Sequence, residues 1–248
     1  MSGHSKWATI KHRKGAADQK RAKSFARLLR QVEVAAREGG GDLTANATLR
    51  TMYEKARDSS VPKDTIDRAV KRGTGELEGV RYESVTYEGY APSGVAVMIE
   101  CLTDNRNRTG PELRTLLSKN GGSMAEPGAV AWQFDRKSVV VIGEDADEDT
   151  VMTATLEAGA DDISEDGGVW QVTGPPTALS DMKNAAEAAG LRVESAEWAM
   201  VPSTTVALDS ESEARQVLRL IELLEDHDDV QAVHANFDIP DHVLETVG

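Results

Sequence analysis

From Ala17 to Arg37 the apolar positions recur with a helical period. At about 100° per residue, Phe25, Leu28, Leu29, Val32, Ala35 and Ala36 fall within an arc of about 120°. Lys20, Lys23, Arg27 and Arg30 fall within about 80° on nearly the opposite side, so the polar face is cationic rather than mixed. Arg21 breaks the pattern by landing on the apolar side. Gly39-Gly40-Gly41 stops the helix. Leu49, Met52, Tyr53 and Ala56 mark a second helix. A third starts with Pro62 in its first turn and ends at Gly73, with Lys71 and Arg72 in its last turn.

Past Gly79 the period changes to short β runs alternating with helices. Strands are expected at Glu83–Glu88 and Gly94–Leu102, around the turn Ala91-Pro92-Ser93. Thr109-Gly110-Pro111-Glu112 has capping-box spacing and predicts the start of a helix that ends at Asn120-Gly121-Gly122. A strand near Val130–Phe134 follows. From Arg136 the order reads strand Ser138–Ile142, helix Glu148–Ala158, strands Asp161–Ser164 and Val169–Val172, helix Ala178–Ala189 and strand Val193–Met200. That βαββαβ run is the ferredoxin-like signature. Thr204–Leu208, Glu211–Leu224 and Val230–Asp238 then form one βαβ piece, too small to bury its own sheet, which most simply rejoins the unit before Arg136.

The expected fold class is therefore α+β: an N-terminal three-helix domain, then two ferredoxin-like α/β sandwich domains, one inserted into the other. The expected limits are 1–76 for the helical domain, 77–135 plus 203–248 for the discontinuous one and 136–202 for the insertion.

Charge sharpens this division. The 248 residues carry a formal net charge of −14, yet Met1–Gly75 holds 17 Lys and Arg against 8 Asp and Glu, a net +9, which leaves −23 for the rest. The first 30 residues contain nine basic side chains and one acid, Asp18. Such asymmetry points to a polyanion-binding module attached to a body that repels phosphate. The plainer alternative is a solvated basic helix that aids solubility. The basic set comprises Lys6, Lys11, His12, Arg13 and Lys14 of the opening arm, the stripe Lys20, Lys23, Arg27 and Arg30, and Lys63, Arg68, Lys71 and Arg72 beyond it. Trp7 would stack on a base or anchor the arm to the helices. A second anion-capable place is the loop Thr103–Thr109, where Asn105, Arg106 and Arg108 flank a helix start. Its alternative is a turn in which Asp104 and Asn105 satisfy backbone donors.

Other chemistry finds little footing. The chain shows no G-x-S-x-G, P-loop or H-E-x-x-H pattern, and its five histidines have no recognised metal-ligand spacing. Asp145, Asp147 and Asp149 resemble the start of a calcium loop, but Thr150 stands where Gly is needed and Leu156 where Glu is needed. No metal, cofactor or catalytic residue is expected. Acid pairs such as Asp161-Asp162 and Asp228-Asp229 read as solvated acidic surface. The single cysteine, Cys101, sits in an apolar run and excludes a disulfide framework. No apolar stretch approaches the ~18 residues of a membrane span, and the basic start lacks the apolar core of a secretory signal. The expected location is the cytoplasm.

The opening Met1–His12 resembles the start of the YebC/PmpR family. So do Ser60-Val61-Pro62-Lys63, Tyr87–Pro92, Thr103–Arg108 and Gly121-Gly122-Ser123-Met124, in the family's order along essentially the whole chain. Gly110-Pro111 departs from the more helix-prone residues of relatives. The resemblance implies three domains, one formed discontinuously around another. It implies a probable DNA-binding transcriptional regulator, with a ribosome-associated, RNA-binding translational activator as the alternative. It carries over Lys6, Lys11, Arg13, Lys14 and Lys20, and the Asn105/Arg106/Arg108 loop. The expected partners are nucleic acid, either DNA or ribosomal RNA, and the ribosome or basic proteins through the acidic body. A non-enzymatic regulator is the primary reading; an enzyme with its site between the α/β domains is the reading from another class.

Overall fold

A computed structural model describes residues 18–143, 145–166, 168–240 and 242–243. Three helices come first: α1 (Asp18–Gly39), α2 (Ala47–Asp58) and α3 (Lys63–Gly73). Leu28, Val32, Ala35 and Ala36 of α1 pack on Leu49, Ala56, Ile66 and Ala69, giving the helical unit its own core. Asn46 fixes the α1–α2 corner. Its side-chain carbonyl accepts from the Leu49 N–H at 3.0 Å, and its amide donates to the Ala35 and Gly40 carbonyls at 2.8 Å each. Gly73 lets α3 approach α1, because a Cβ there would collide with the Glu33 carbonyl and the Ala36 side chain. Beside that contact, the buried Glu33 carboxylate pairs with Arg37 at 3.3 Å and Arg72 at 3.0 Å.

The next elements are β1 (Glu83–Tyr90), β2 (Ala96–Thr103), α4 (Arg106–Lys119) and β3 (Ser123–Met124). Then come β4 (Phe134–Ile142), α5 (Glu148–Leu156), β5 (Asp162–Asp166), β6 (Val169–Gly174), α6 (Leu179–Ala188) and β7 (Val193–Pro202). The chain closes with β8 (Val206–Ala207), α7 (Glu211–Glu225), β9 (Val230–Ala235) and β10 (Phe237–Asp238). The inserted sheet has the order β5-β6-β4-β7, antiparallel throughout, which is the ferredoxin-like order. The outer sheet is β3-β1-β2-β9. Its last strand comes from beyond the insertion: β9 pairs with β2 through Val97↔Ala235 and Ile99↔Val233. One α/β sandwich is thus inserted into the other. The outer one reaches the ferredoxin-like order with β1, rather than a strand following β3, in one of the two central places.

Alternation along β2 explains why both its faces are covered. Val97, Ile99 and Cys101 face Leu113 and Leu117 of α4 and Val217, Leu220, Ile221 and Leu224 of α7. Ala96 and Met98 point the other way, onto Val130 and, from the inserted sheet, Phe134 and Met200. Glu88 supports this junction. Its buried carboxylate accepts from the Gly128, Val130 and Ala131 N–H groups at 2.6, 2.7 and 2.8 Å.

Two local expectations are corrected. Helix α4 begins at Arg106, three residues before the anticipated Thr109, because Asn105 caps it by accepting the Arg108 N–H at 3.2 Å; Pro111 consequently lies inside the helix. The strand expected at Val130–Phe134 is instead a turn of 3₁₀ helix, Ala131–Gln133, and β4 runs unbroken from Phe134.

Candidate nucleic-acid interface

The structure divides the sequence-derived basic set into three groups. Lys6, Trp7, Lys11, His12, Arg13 and Lys14 lie outside the described residues, as does the side chain of Lys20. Lys63, Arg68 and Lys71 are exposed on α3, where Arg68 Nε donates to the Asp64 carbonyl at 3.2 Å. Arg72 is half-buried on Glu33.

The third group is engaged within the chain. Lys23, Arg27 and Arg30 stand at i, i+4 and i+7 of α1, roughly 10 Å from end to end at 1.5 Å per residue. They meet the C-terminal end of α7 and the loop after it. Lys23 Nζ donates to the Asp226 carbonyl at 3.1 Å and lies 3.7 Å from the Asp228 carboxylate. Arg27 donates to the His227 carbonyl at 3.4 Å. Arg30 donates to the Asp228 carbonyl at 2.8 Å and to Asp229 Oδ1 at 3.4 Å, and its guanidinium lies 5.1 Å from the centre of the Tyr82 ring. The carbonyls at a helix C-terminus carry the negative end of its dipole, so cations there are favoured. Burial lowers the Arg27 pKa, partly offset by Glu225, Asp226 and Asp228; an arginine remains cationic at neutral pH regardless.

The Asn105/Arg106/Arg108 loop is engaged too. Asn105 is the cap already described. Arg106 is exposed, and its charge partly offsets the burial that raises the Tyr87 pKa. Arg108 binds Asp104 at 3.0 Å and Asp229 Oδ2 at 2.8 Å. The same Asp229 oxygen accepts from Thr109 at 2.7 Å and Thr103 at 3.2 Å. An anion does sit at the start of α4, and it is the chain's own carboxylate. Burial would raise the Asp229 pKa, but hydrogen bonds from Arg108, Thr109 and Thr103 outweigh it and hold the value below the ordinary range.

Asp229 had been expected on a solvated acidic surface; it is 3% exposed and joins α1, α4 and the entry to β9. Sequence reasoning missed this partner. The available signal was the density of acid at the end of α7 and just beyond it, four of the five residues 225–229. The open cleft between the helical unit and the α4/α7 layer is about 1050 Å³, and its Arg30, Arg108, Glu112, His227 and Asp229 are paired among themselves. Burial pushes the Cys101 thiol up to about 12, which leaves it protonated at neutral pH. Among the described residues, no group of three or more His, Cys, Asp or Glu side chains is placed to hold a metal, and no helix is long and apolar enough to cross a membrane.

A cationic three-helix unit carried on an acidic body of two α/β modules is a defined class of multidomain protein. This chain belongs to the TACO1/YebC family: the model of the family's N-terminal domain matches residues 5–76, and that of its second and third domains matches residues 82–237. It is 53% identical over 248 residues to a probable transcriptional regulatory protein of Kineococcus radiotolerans, covering 98% of each chain. A protein of the same description from Geobacter sulfurreducens is 50% identical over 245 residues, covering 99% of each. Among solved structures, the crystal structure of a conserved hypothetical protein from Aquifex aeolicus matches with a TM-score of 0.82 at 40% identity, covering 90% of this chain and 93% of that one.

Proposed function

We propose that this protein is a non-enzymatic, cytoplasmic regulator of gene expression that binds DNA through its N-terminal basic segment. The observation that carries the reading is the segregation of charge, +9 in the first 75 residues against −23 in the remainder. The naming of its relatives as probable transcriptional regulatory proteins supports it. Phosphate contacts need only positive charge at backbone spacing, and Lys6, Lys11, Arg13, Lys14 and Lys20, with the exposed Lys63, Arg68 and Lys71, supply it. The acidic body keeps the nucleic acid at this end of the molecule and offers a surface to basic proteins. Gentle lysis and sedimentation test the reading. The protein should co-fractionate with chromosomal DNA and be released by DNase; migration with ribosomes and release by RNase would replace it with the translational alternative.

A further inference from the structure

The contact between the helical unit and the α/β body is almost wholly polar. Each of the four hydrophobic clusters among the described residues stays on one side of it: the helical cluster runs from Phe25 to Val70, and the other three begin no earlier than Tyr87. What crosses is ionic. Besides the three stripe cations on residues 226–229, Lys55 pairs with Glu197 at 2.6 Å and Lys183 with Asp58 at 3.2 Å. Covalently, the two parts are joined through residues 74–82, which include Gly75 at φ 83° and Gly79. Such a contact lacks the area-dependent, salt-insensitive contribution of apolar burial, and its exposed pairs are screened by salt.

The groups that meet Lys23, Arg27 and Arg30 are three successive backbone carbonyls and two carboxylates. To a row of cations these resemble the oxygens of a phosphodiester backbone. We propose that residues 225–229 are a built-in polyanion mimic. The segment occupies the cationic stripe of α1 when no nucleic acid is bound, and a phosphate backbone displaces it, freeing the helical unit from the body. This rests on the reading that the N-terminal segment binds nucleic acid, and it adds a closed state in which that affinity is held down. A chain open one time in ten binds about tenfold more weakly than one always open.

The test uses the full chain carrying Glu225→Gln, Asp226→Asn and Asp228→Asn. Asp229 stays, because its carboxylate also holds Thr103 and Thr109. Dyes at Thr48→Cys and Ser118→Cys, both exposed positions, report the distance between α2 and α4. The probes are inorganic polyphosphate and a mixed-sequence DNA duplex. A control chain neutralises three exposed acids elsewhere, Asp145, Asp149 and Glu157, to match the change in net charge. Energy transfer in the unmodified chain should fall as polyphosphate is added. The triple variant should start with lower transfer and bind the duplex roughly tenfold more tightly, the control less than twofold. Unchanged transfer at saturating polyphosphate overturns the proposal, and so does equal tightening by the control. If polyphosphate opens the chain but neither form binds the duplex, the DNA reading fails while the mimic stands.

Discussion

At the scale of single residues, Asp229 and Glu88 show how few buried carboxylates organise this molecule. Each is less than a tenth exposed and each is surrounded by donors: Arg30, Arg108, Thr103 and Thr109 for one, the loop N–H groups of Gly128, Val130 and Ala131 for the other. Removing the charge from Asp229 leaves those donors with a weaker acceptor. Asp229→Asn should therefore cost about 2 kcal/mol in urea unfolding, a typical figure for a hydrogen bond to a charged group. Both acids also make stability depend on pH in a defined direction. Burial raises each pKa, the hydrogen bonds outweigh it, and the net shift in the folded state is downward. A depressed folded pKa means that the stabilisation is present above the unfolded value of about 4 and is lost as pH falls through the folded value. Unfolding midpoints should drop below about pH 4, and less steeply in Asp229→Asn than in the unmodified chain; identical acid limbs would remove Asp229 from the account. Neither role was legible in the sequence, because an Asp beside three other acids looks solvated until the fold brings Arg108 and Thr109 to it.

The elements themselves were far more legible. Helix α1 could be read because side chains on its buried face repeat at 3.6 residues, as Phe25 to Ala36 do, and the βαββαβ run because short apolar runs such as Val139 to Ile142 are set between helical stretches. The misreadings occurred where two local signals compete. Asn105 and Thr109 both have capping chemistry, and the earlier one is selected because Thr103, Thr109 and Asp229 interlock behind it. Asp135-Arg136-Lys137 disguised the first half of β4, which is polar yet paired with β7 along its length. At the α1–α3 crossing the decisive residue is Gly73, read from sequence only as a helix stop. Gly73→Ala should destabilise the helical unit by about 1–3 kcal/mol, the usual range for overpacking, despite alanine's better helix propensity. Equal or greater thermal stability of that variant would mean that the helices separate freely.

At the scale of the whole molecule, charge segregation was visible in the sequence, but its internal use was not. Opposite charges placed in different parts of one chain attract each other as readily as they attract a partner, and spacing along the chain cannot say which contact forms. Lys23, Arg27 and Arg30 are engaged by residues 226–229, so on the proposed reading the opening arm is the first point of contact for a phosphate backbone. The most direct measurement is the salt dependence of DNA affinity for the full chain and for a variant with Lys6, Lys11, Arg13 and Lys14 changed to Ala. Each phosphate contact contributes roughly 0.9 to the log–log slope on duplex DNA, so the variant should lose about 3 to 4 from the slope while keeping its fold by circular dichroism. A folded variant with the unmodified slope and affinity would contradict the claim that this basic segment holds the nucleic acid.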